Sequence, residues 1–288
     1  MSGIATEDDD MTNETAAMSA PSAGSLPLDQ IICGDNCEVM RTLPSESIDL
    51  VVTSPPYDDL RTYGGHSWDF YGVAWNLKRL LKPGGVIVWV VSDQTVDGSE
   101  TGTSCAQAEH FRGIGLKQHD TMIYQKAGGG AVGSHLAYWQ YWEYMFVFSK
   151  GRPKSVSRIA DRTNKSAGHL NSGSGQKKEK VGTRLQRSPM RTQPCGVRTN
   201  IWVYGHGNRH GDVTDHPAPF PEKLARDHIM SWSNPGDVVL DPFSGSGTTA
   251  KMAREAGRRF IGIEVNPEYV EISRKRLAQQ VLPIGAAS

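Results

Sequence analysis

Val238-Val239-Leu240-Asp241-Pro242-Phe243-Ser244-Gly245-Ser246-Gly247-Thr248-Thr249 runs from an apolar stretch through a glycine-rich turn into a helical pattern. Three apolar residues ending in an acid predict a buried strand. A turn at the carboxyl end of a strand and before a helix is where ligands bind in open α/β sheets. Gly245 and Gly247 remove side chains, so backbone can approach a ligand closely. The amides of Thr248 and Thr249 open a helix and can serve an anionic or polar group.

A Gly-x-Gly turn alone could be a plain connection. The following strand argues otherwise. Phe260-Ile261-Gly262-Ile263 ends at Glu264, and a carboxylate there can take both hydroxyls of a ribose. The full Gly-x-Gly-x-x-Gly of pyrophosphate binders is absent, which favours a nucleoside cofactor over a dinucleotide. S-adenosylmethionine is the candidate. Asp241 would face its ammonium group, and Phe243 would pack beside it.

Upstream, Ile48-Asp49-Leu50-Val51-Val52 leads into Thr53-Ser54-Pro55-Pro56-Tyr57. The run reads as a strand buried on both faces and ended by two prolines. The exocyclic amine of cytosine or adenine is a poor nucleophile, because its lone pair is delocalised into the ring. Two acceptors on its hydrogens favour the tetrahedral nitrogen of a methyl-transfer transition state. Ser54 offers a hydroxyl oxygen and Pro55 a carbonyl; Pro56 holds the backbone extended. Tyr57 offers a ring face for stacking. A base must leave the duplex to reach such a site.

Ile31–Asn36 reads as a short strand into a tight turn, and further strands are predicted at Val86–Val91, Thr121–Tyr124, Tyr141–Ser149 and Ile201–Val203. Helices are predicted at Cys37–Leu43, around Trp75–Leu81, and at Ala106–Ile114, Pro221–Trp232, Thr248–Glu255 and Asn266–Gln280. Lys82-Pro83-Gly84-Gly85 reads as a turn closing the second helix. Strands alternating with helices predict an α/β fold with a mostly parallel sheet and helices on both faces.

The chain has 288 residues and no net charge, but the charge is unevenly placed. Residues 1–30 carry six acids and no Lys or Arg, and residues 1–27 read as a disordered acidic tail. Residues 150–209 carry fourteen Lys or Arg against Asp161 and Glu179, about +12 by count. A long basic stretch favours a polyanionic partner, and Lys177, Lys178, Lys180, Arg184, Arg187, Arg191 and Arg198 are its candidate contacts. Arg61, beyond Tyr57, is a further candidate. Four scattered cysteines suggest neither a disulfide framework nor a metal site. No signal peptide or membrane span is predicted, and the cytoplasm is expected.

On Thr53–Tyr57 and Asp241–Gly247, with Gly34-Asp35, Leu81–Gly85 and Glu143–Lys150 in support, the chain resembles the beta-class amino-methyltransferases of DNA. The catalytic motif precedes the cofactor motif with the basic region between, a circularly permuted order. The resemblance implies a Rossmann-like class I fold with a seven-stranded sheet. It implies a catalytic half at 28–150, a target-recognition segment at 151–200 and a cofactor-binding half of the same domain at 201–288. It also places Asp35, Thr53, His216 and Pro217 on the cofactor side, with Asp241, Phe243, Gly245, Gly247, Thr248, Thr249 and Glu264.

By the same resemblance, Ser before Pro-Pro-Tyr leans towards N4 of cytosine, with N6 of adenine the alternative. The expected partner is double-stranded DNA, within a restriction-modification or phage-protection system. A homodimer and a separate cognate endonuclease fit that setting. An RNA or protein-amide methyltransferase, or a binding module without catalysis, remain as other classes. Cys195 would suggest carbon-5 chemistry, but it lies in the basic stretch, far from any strand end.

Overall fold

The computed structural model describes residues 25–56, 68–128, 138–171, 176–178, 184–186, 190–205 and 221–279. Among these residues the main sheet has eight strands: β1 Gln30–Cys33, β2 Ile48–Thr53, β3 Leu81–Val91, β4 Lys117–Ala127, β5 Trp142–Ser149, β6 Ile201–Gly205, β7 Val238–Asp241 and β8 Arg259–Glu264. Their spatial order is β1-β8-β7-β2-β3-β5-β4-β6. Every pairing is parallel except the two made by β5, which runs against β3 and β4. The eighth strand is β6, which pairs parallel along the outer edge of β4.

Among the described residues, six helices cover the two faces. α1 Asn36–Thr42, α2 Phe70–Leu80 and α3 Thr103–Gly113 bury Met40, Leu77 and Phe111 on one face. α4 Glu222–Trp232, α5 Thr248–Glu255 and α6 Pro267–Ala278 bury Leu224, Met252 and Val270 on the other. β2 is buried at all six positions, which is why its sequence shows no alternation. None of the described helices is long and apolar enough to cross a membrane.

Two local expectations change. Lys82–Gly85 lies inside β3 instead of forming a turn. Gly84 and Gly85 exchange backbone hydrogen bonds with Lys150, and the register with β2 shifts between Ile48 and Leu50 to absorb the extra length. Order begins before residue 28: Pro27 is buried and Leu26 packs against the core. Residues 1–24, the bulk of the expected tail, lie outside the described residues.

Beneath the sheet, Asp49 ties three segments together. It is 2% exposed and accepts from Lys82 Nζ at 2.8 Å, from Lys154 and from the Val238 amide at 2.9 Å. Short antiparallel pairings recur through the basic stretch, Arg162 with Gly196, Leu170 with Arg191 and Lys178 with Arg184. They close at the base, where the Arg198 amide donates to the Ile159 carbonyl at 2.8 Å.

Candidate active site at the carboxyl rim of the sheet

β7 and β2 are neighbours, with Val239 opposite Leu50 and Leu240 opposite Val51. Their carboxyl ends therefore stop side by side, and the loops that leave them start from one place. Thr53 Oγ1 donates to Asp241 Oδ1 at 2.7 Å. Thr249 Oγ1, in the first turn of α5, donates to the Val52 carbonyl at 3.2 Å. The two loops, remote in the chain, share one rim. Ser54 and Pro56 there are half-buried and Pro55 is buried.

Asp241 is buried, and burial pushes its carboxyl up to about 6 against the lowering effect of hydrogen bonds from Thr53, the Phe243 amide and Thr249; the charge of Glu264 adds to the rise. A buried carboxylate with only neutral donors favours a cation as its next partner.

The glycine turn is held from several sides. Glu264 accepts from the Gly245 amide at 2.8 Å through one oxygen and from the Asn266 amide at 2.9 Å through the other. It therefore braces the turn, and a carboxylate oxygen keeps a second lone pair for a ligand. Gly247 caps α5 with φ +78°, and a Cβ there would stand 3.0 Å from Ser273 Cβ. Gly262 leaves the room that Ser244 fills, since a Cβ would come within 2.6 Å of Ser244 Oγ.

Asp35 is exposed at the amino end of α1 and caps it by accepting from the Glu38 amide at 2.9 Å. Asn36, next to it, is buried. Its Nδ2 donates to the Pro242 carbonyl at 3.4 Å, and its Oδ1 has no donor among the described residues. Phe243 meets Trp68 edge-on at 4.9 Å, and Trp68 leans on Trp89 at 6.2 Å, forming an aromatic wall.

Sequence reasoning missed Asn36, Trp68 and Arg276. Arg276, on α6, donates to Ser246 and Thr248 and reaches Glu222 at the start of α4. Nothing in its local spacing announces a tie to a turn 28 positions upstream.

One expected contact is corrected. Arg198 is tied to the protein itself: its guanidinium pairs with Asp161 and with Asp227 at 2.8 Å, donates to Tyr204 Oη at 2.8 Å and lies 5.0 Å over the Trp202 ring. Two carboxylates consume its fork, so it anchors the basic stretch instead of facing nucleic acid. Arg191 is exposed in the basic stretch. Lys177, Lys178 and Arg184 sit on paired backbone within it. Tyr57, Arg61, Lys180, Arg187, His216 and Pro217 lie outside the described residues.

The profile of the N6/N4 DNA methylase family matches residues 48–275. The orphan methyltransferase M.BamHII of Bacillus amyloliquefaciens is 47% identical over 241 residues, covering 82% of this chain and 91% of that protein. TTHA0409 of Thermus thermophilus, crystallised with S-adenosyl-L-methionine, superposes with a TM-score of 0.56 at 27% identity, over 86% of this chain and 94% of that one. The cytosine-N4-specific PvuII DNA methyltransferase shares the fold, with a TM-score of 0.62 at 22% identity over 88% and 87% of the two chains. Two loops meeting at one rim, a family profile spanning most of the chain and a near-full-length relative lead to one conclusion: the chain belongs to the N6/N4 DNA methylase family, whose members depend on S-adenosylmethionine.

Proposed function

We propose that this protein methylates the exocyclic amine of a base flipped out of double-stranded DNA, N4 of cytosine being the favoured target. The observation that carries this reading is the hydrogen bond from Thr53 to Asp241, which sets the Ser-Pro-Pro loop beside the glycine turn. S-adenosylmethionine supplies an electrophilic methyl group on a sulfonium sulfur.

The residues present fit that cofactor. Asp241 is a buried anion suited to an ammonium, Glu264 stands at the end of the next strand for the ribose, and the orphaned Asn36 Oδ1 awaits a donor. Phe243 gives the pocket an apolar wall. Gly245, Gly247, Thr248 and Thr249 bring backbone close, with Asp35, Thr53, His216 and Pro217 completing the cofactor side.

The protein's own groups do the rest. Ser54 Oγ and the Pro55 carbonyl accept the two amine hydrogens and draw the nitrogen lone pair out of conjugation. Pro55 and Pro56 fix that carbonyl, and the Tyr57 ring stacks on the base. Holding the amine beside the methyl group supplies much of the acceleration. The basic segment at 151–200 carries the recognition surface, through Lys177, Lys178, Lys180, Arg184, Arg187 and Arg191, with Arg61 near the catalytic loop. Residues 28–150 and 201–288 form the catalytic and cofactor halves of one domain. The setting we propose is the cytoplasm of a cell that carries the modification, with a homodimer as the working form and a cognate endonuclease as a separate chain.

The test is nucleoside identification. The protein is incubated with unmethylated DNA or with RNA and labelled S-adenosylmethionine, the polymer is digested, and the methylated nucleoside is identified. N4-methylcytosine in DNA supports the full proposal. N6-methyladenine moves the target to adenine, and label confined to RNA overturns the DNA assignment.

A further inference from the structure

β5 runs against its neighbours, so its amino-terminal end lies at the same rim as the carboxyl ends of β2 and β3. The register fixes this: Val91, the last residue of β3, stands opposite Tyr144. The residues before β5 therefore continue outward past the rim. Lys126 N–H donates to the Tyr141 carbonyl at 2.8 Å, so the approach is tied to the end of β4. There Tyr138 is 102% exposed and Trp139 67% exposed. They precede in the chain an aromatic row on β5, Trp142 against Tyr144 at 4.7 Å and Tyr144 stacked on Phe146 at 4.8 Å.

Only β3 separates β5 from β2, and Thr53 is level with Phe146 through Trp89, so Trp142, at the start of the row, lies about 10 Å sideways and about 13 Å outward from the end of β2. Two large rings held out in water at such a site cost solubility and add nothing to the core. Lys126, paired with Glu143 at 2.8 Å, keeps the strand ends fixed beneath them.

We infer that Tyr138 and Trp139 form a stacking platform for bases of the DNA strand next to the flipped nucleotide. Flipping leaves a gap in the stack and unpaired neighbours, and aromatic faces accept any base by stacking. A paired duplex offers few such faces, so the platform favours DNA already opened at the target and helps hold the flipped state. A second copy of the chain is the competing occupant. DNA is the better match, because the rings lie on the same side of the sheet as the loop that receives the base, and the chain carries a strongly basic segment at 150–209. The inference rests on the DNA amino-methyltransferase reading.

The test reads binding without turnover, using the full-length protein. Two labelled DNA duplexes serve as probes, one fully paired and one with a central mismatch, and their affinities are measured by fluorescence anisotropy. Tyr138→Ala and Trp139→Ala are expected to weaken binding to the mismatched duplex about tenfold and to the paired duplex much less. Trp139→Phe keeps a ring and is expected to retain most of the affinity, while S-adenosylmethionine binding stays unchanged. Loss of affinity for both duplexes alike overturns the platform, as does no loss. A shift from dimer to monomer in sedimentation of Trp139→Ala, with both affinities kept, assigns the rings to a second copy and overturns it too. If the unaltered protein methylates no nucleoside in DNA yet discriminates the two duplexes through Trp139, the functional reading fails and the platform stands.

Discussion

Thr53 Oγ1 and Asp241 Oδ1 lie 2.7 Å apart although 188 positions separate them in the chain. The bond joins the strand that delivers the Ser-Pro-Pro loop to the strand that delivers the glycine turn. Both residues are buried, so its loss is felt at both sites. Thr53→Val keeps the shape and deletes the donor. It is expected to cost about 1–3 kcal/mol in urea unfolding and to weaken S-adenosylmethionine binding together with turnover. Unchanged cofactor affinity with unchanged stability would remove the bond from both roles.

Ser54→Ala separates chemistry from binding. Removing one acceptor from the amine is expected to lower kcat about 100-fold, as deletion of a single transition-state hydrogen bond does elsewhere. Cofactor affinity, measured by calorimetry, should stay within about twofold. An equal loss in both quantities would contradict the role given to Ser54.

Asp241, in its proposed role opposite the cofactor's ammonium, is expected to make cofactor affinity depend on pH. Its carboxyl is pushed up from 3.8 to about 6 by burial, so the folded, cofactor-free protein binds this proton more tightly than the unfolded chain does. That contribution to stability is full below pH 3.8 and is lost as pH rises through about 6. An ammonium ligand needs the carboxylate charged. S-adenosylmethionine affinity is therefore expected to fall as pH drops below about 6, towards tenfold per unit. Asp241→Asn should raise the melting temperature of the cofactor-free protein at a pH above about 7 while it weakens the cofactor and flattens this pH dependence. A steep dependence that survives in the variant would place the titration elsewhere.

Asp49 works with the opposite sign. Burial alone would raise its carboxyl, but Lys154, Lys82 and the Val238 amide hold it below the usual value. Its contribution is present above the unfolded pKa of about 4 and is lost as pH falls through the lower folded value. Asp49→Ala is expected to cost about 1–3 kcal/mol in urea unfolding at neutral pH, mostly because it leaves the buried Val238 amide without an acceptor, the two half-exposed lysines turning to solvent. A cost below about 1 kcal/mol would mean that solvent already shares the load.

Arg198 and the lysines of the basic segment should separate in DNA binding. Arg198→Ala is expected to lower stability and leave the salt dependence of binding unchanged, since its charge is spent on Asp161 and Asp227. Replacing Lys177, Lys178 and Lys180 by Ala is expected to reduce the slope of log K against log salt by about 0.9 for each phosphate that is no longer neutralised. The reverse pattern would return Arg198 to the interface.

The parallel core was legible because continuous apolar runs such as Ile48–Val52 and Val86–Val91 suit strands buried on both faces, and because each runs into a Pro, Ser or Gly stop. Lys82–Gly85 misled for a physical reason. Pro-Gly-Gly carries a turn signal in the local sequence, and distant partners, Lys150 and Lys154, hold those residues in a strand. Arg198 misled in the same way: a basic residue in a basic stretch looks like its neighbours until the fold brings Asp227 against it. Asp241 and Glu264 were legible as carboxylates at strand ends. Their hydrogen bonds to Thr53 and Gly245 were not, because both depend on the order in which strands line up.

The basic stretch leaves the sheet after β5, closes on itself where Arg198 meets Ile159 and Asp161, and rejoins the fold at β6. Its clamp sits on the edge strand β6 and on α4, away from the β2–β7 seam where the two loops meet. On the proposed reading of that stretch as the recognition surface, such an attachment would let lineages lengthen, shorten or exchange the excursion as a cassette, acquiring new target sequences while the methyl-transfer machinery is inherited untouched.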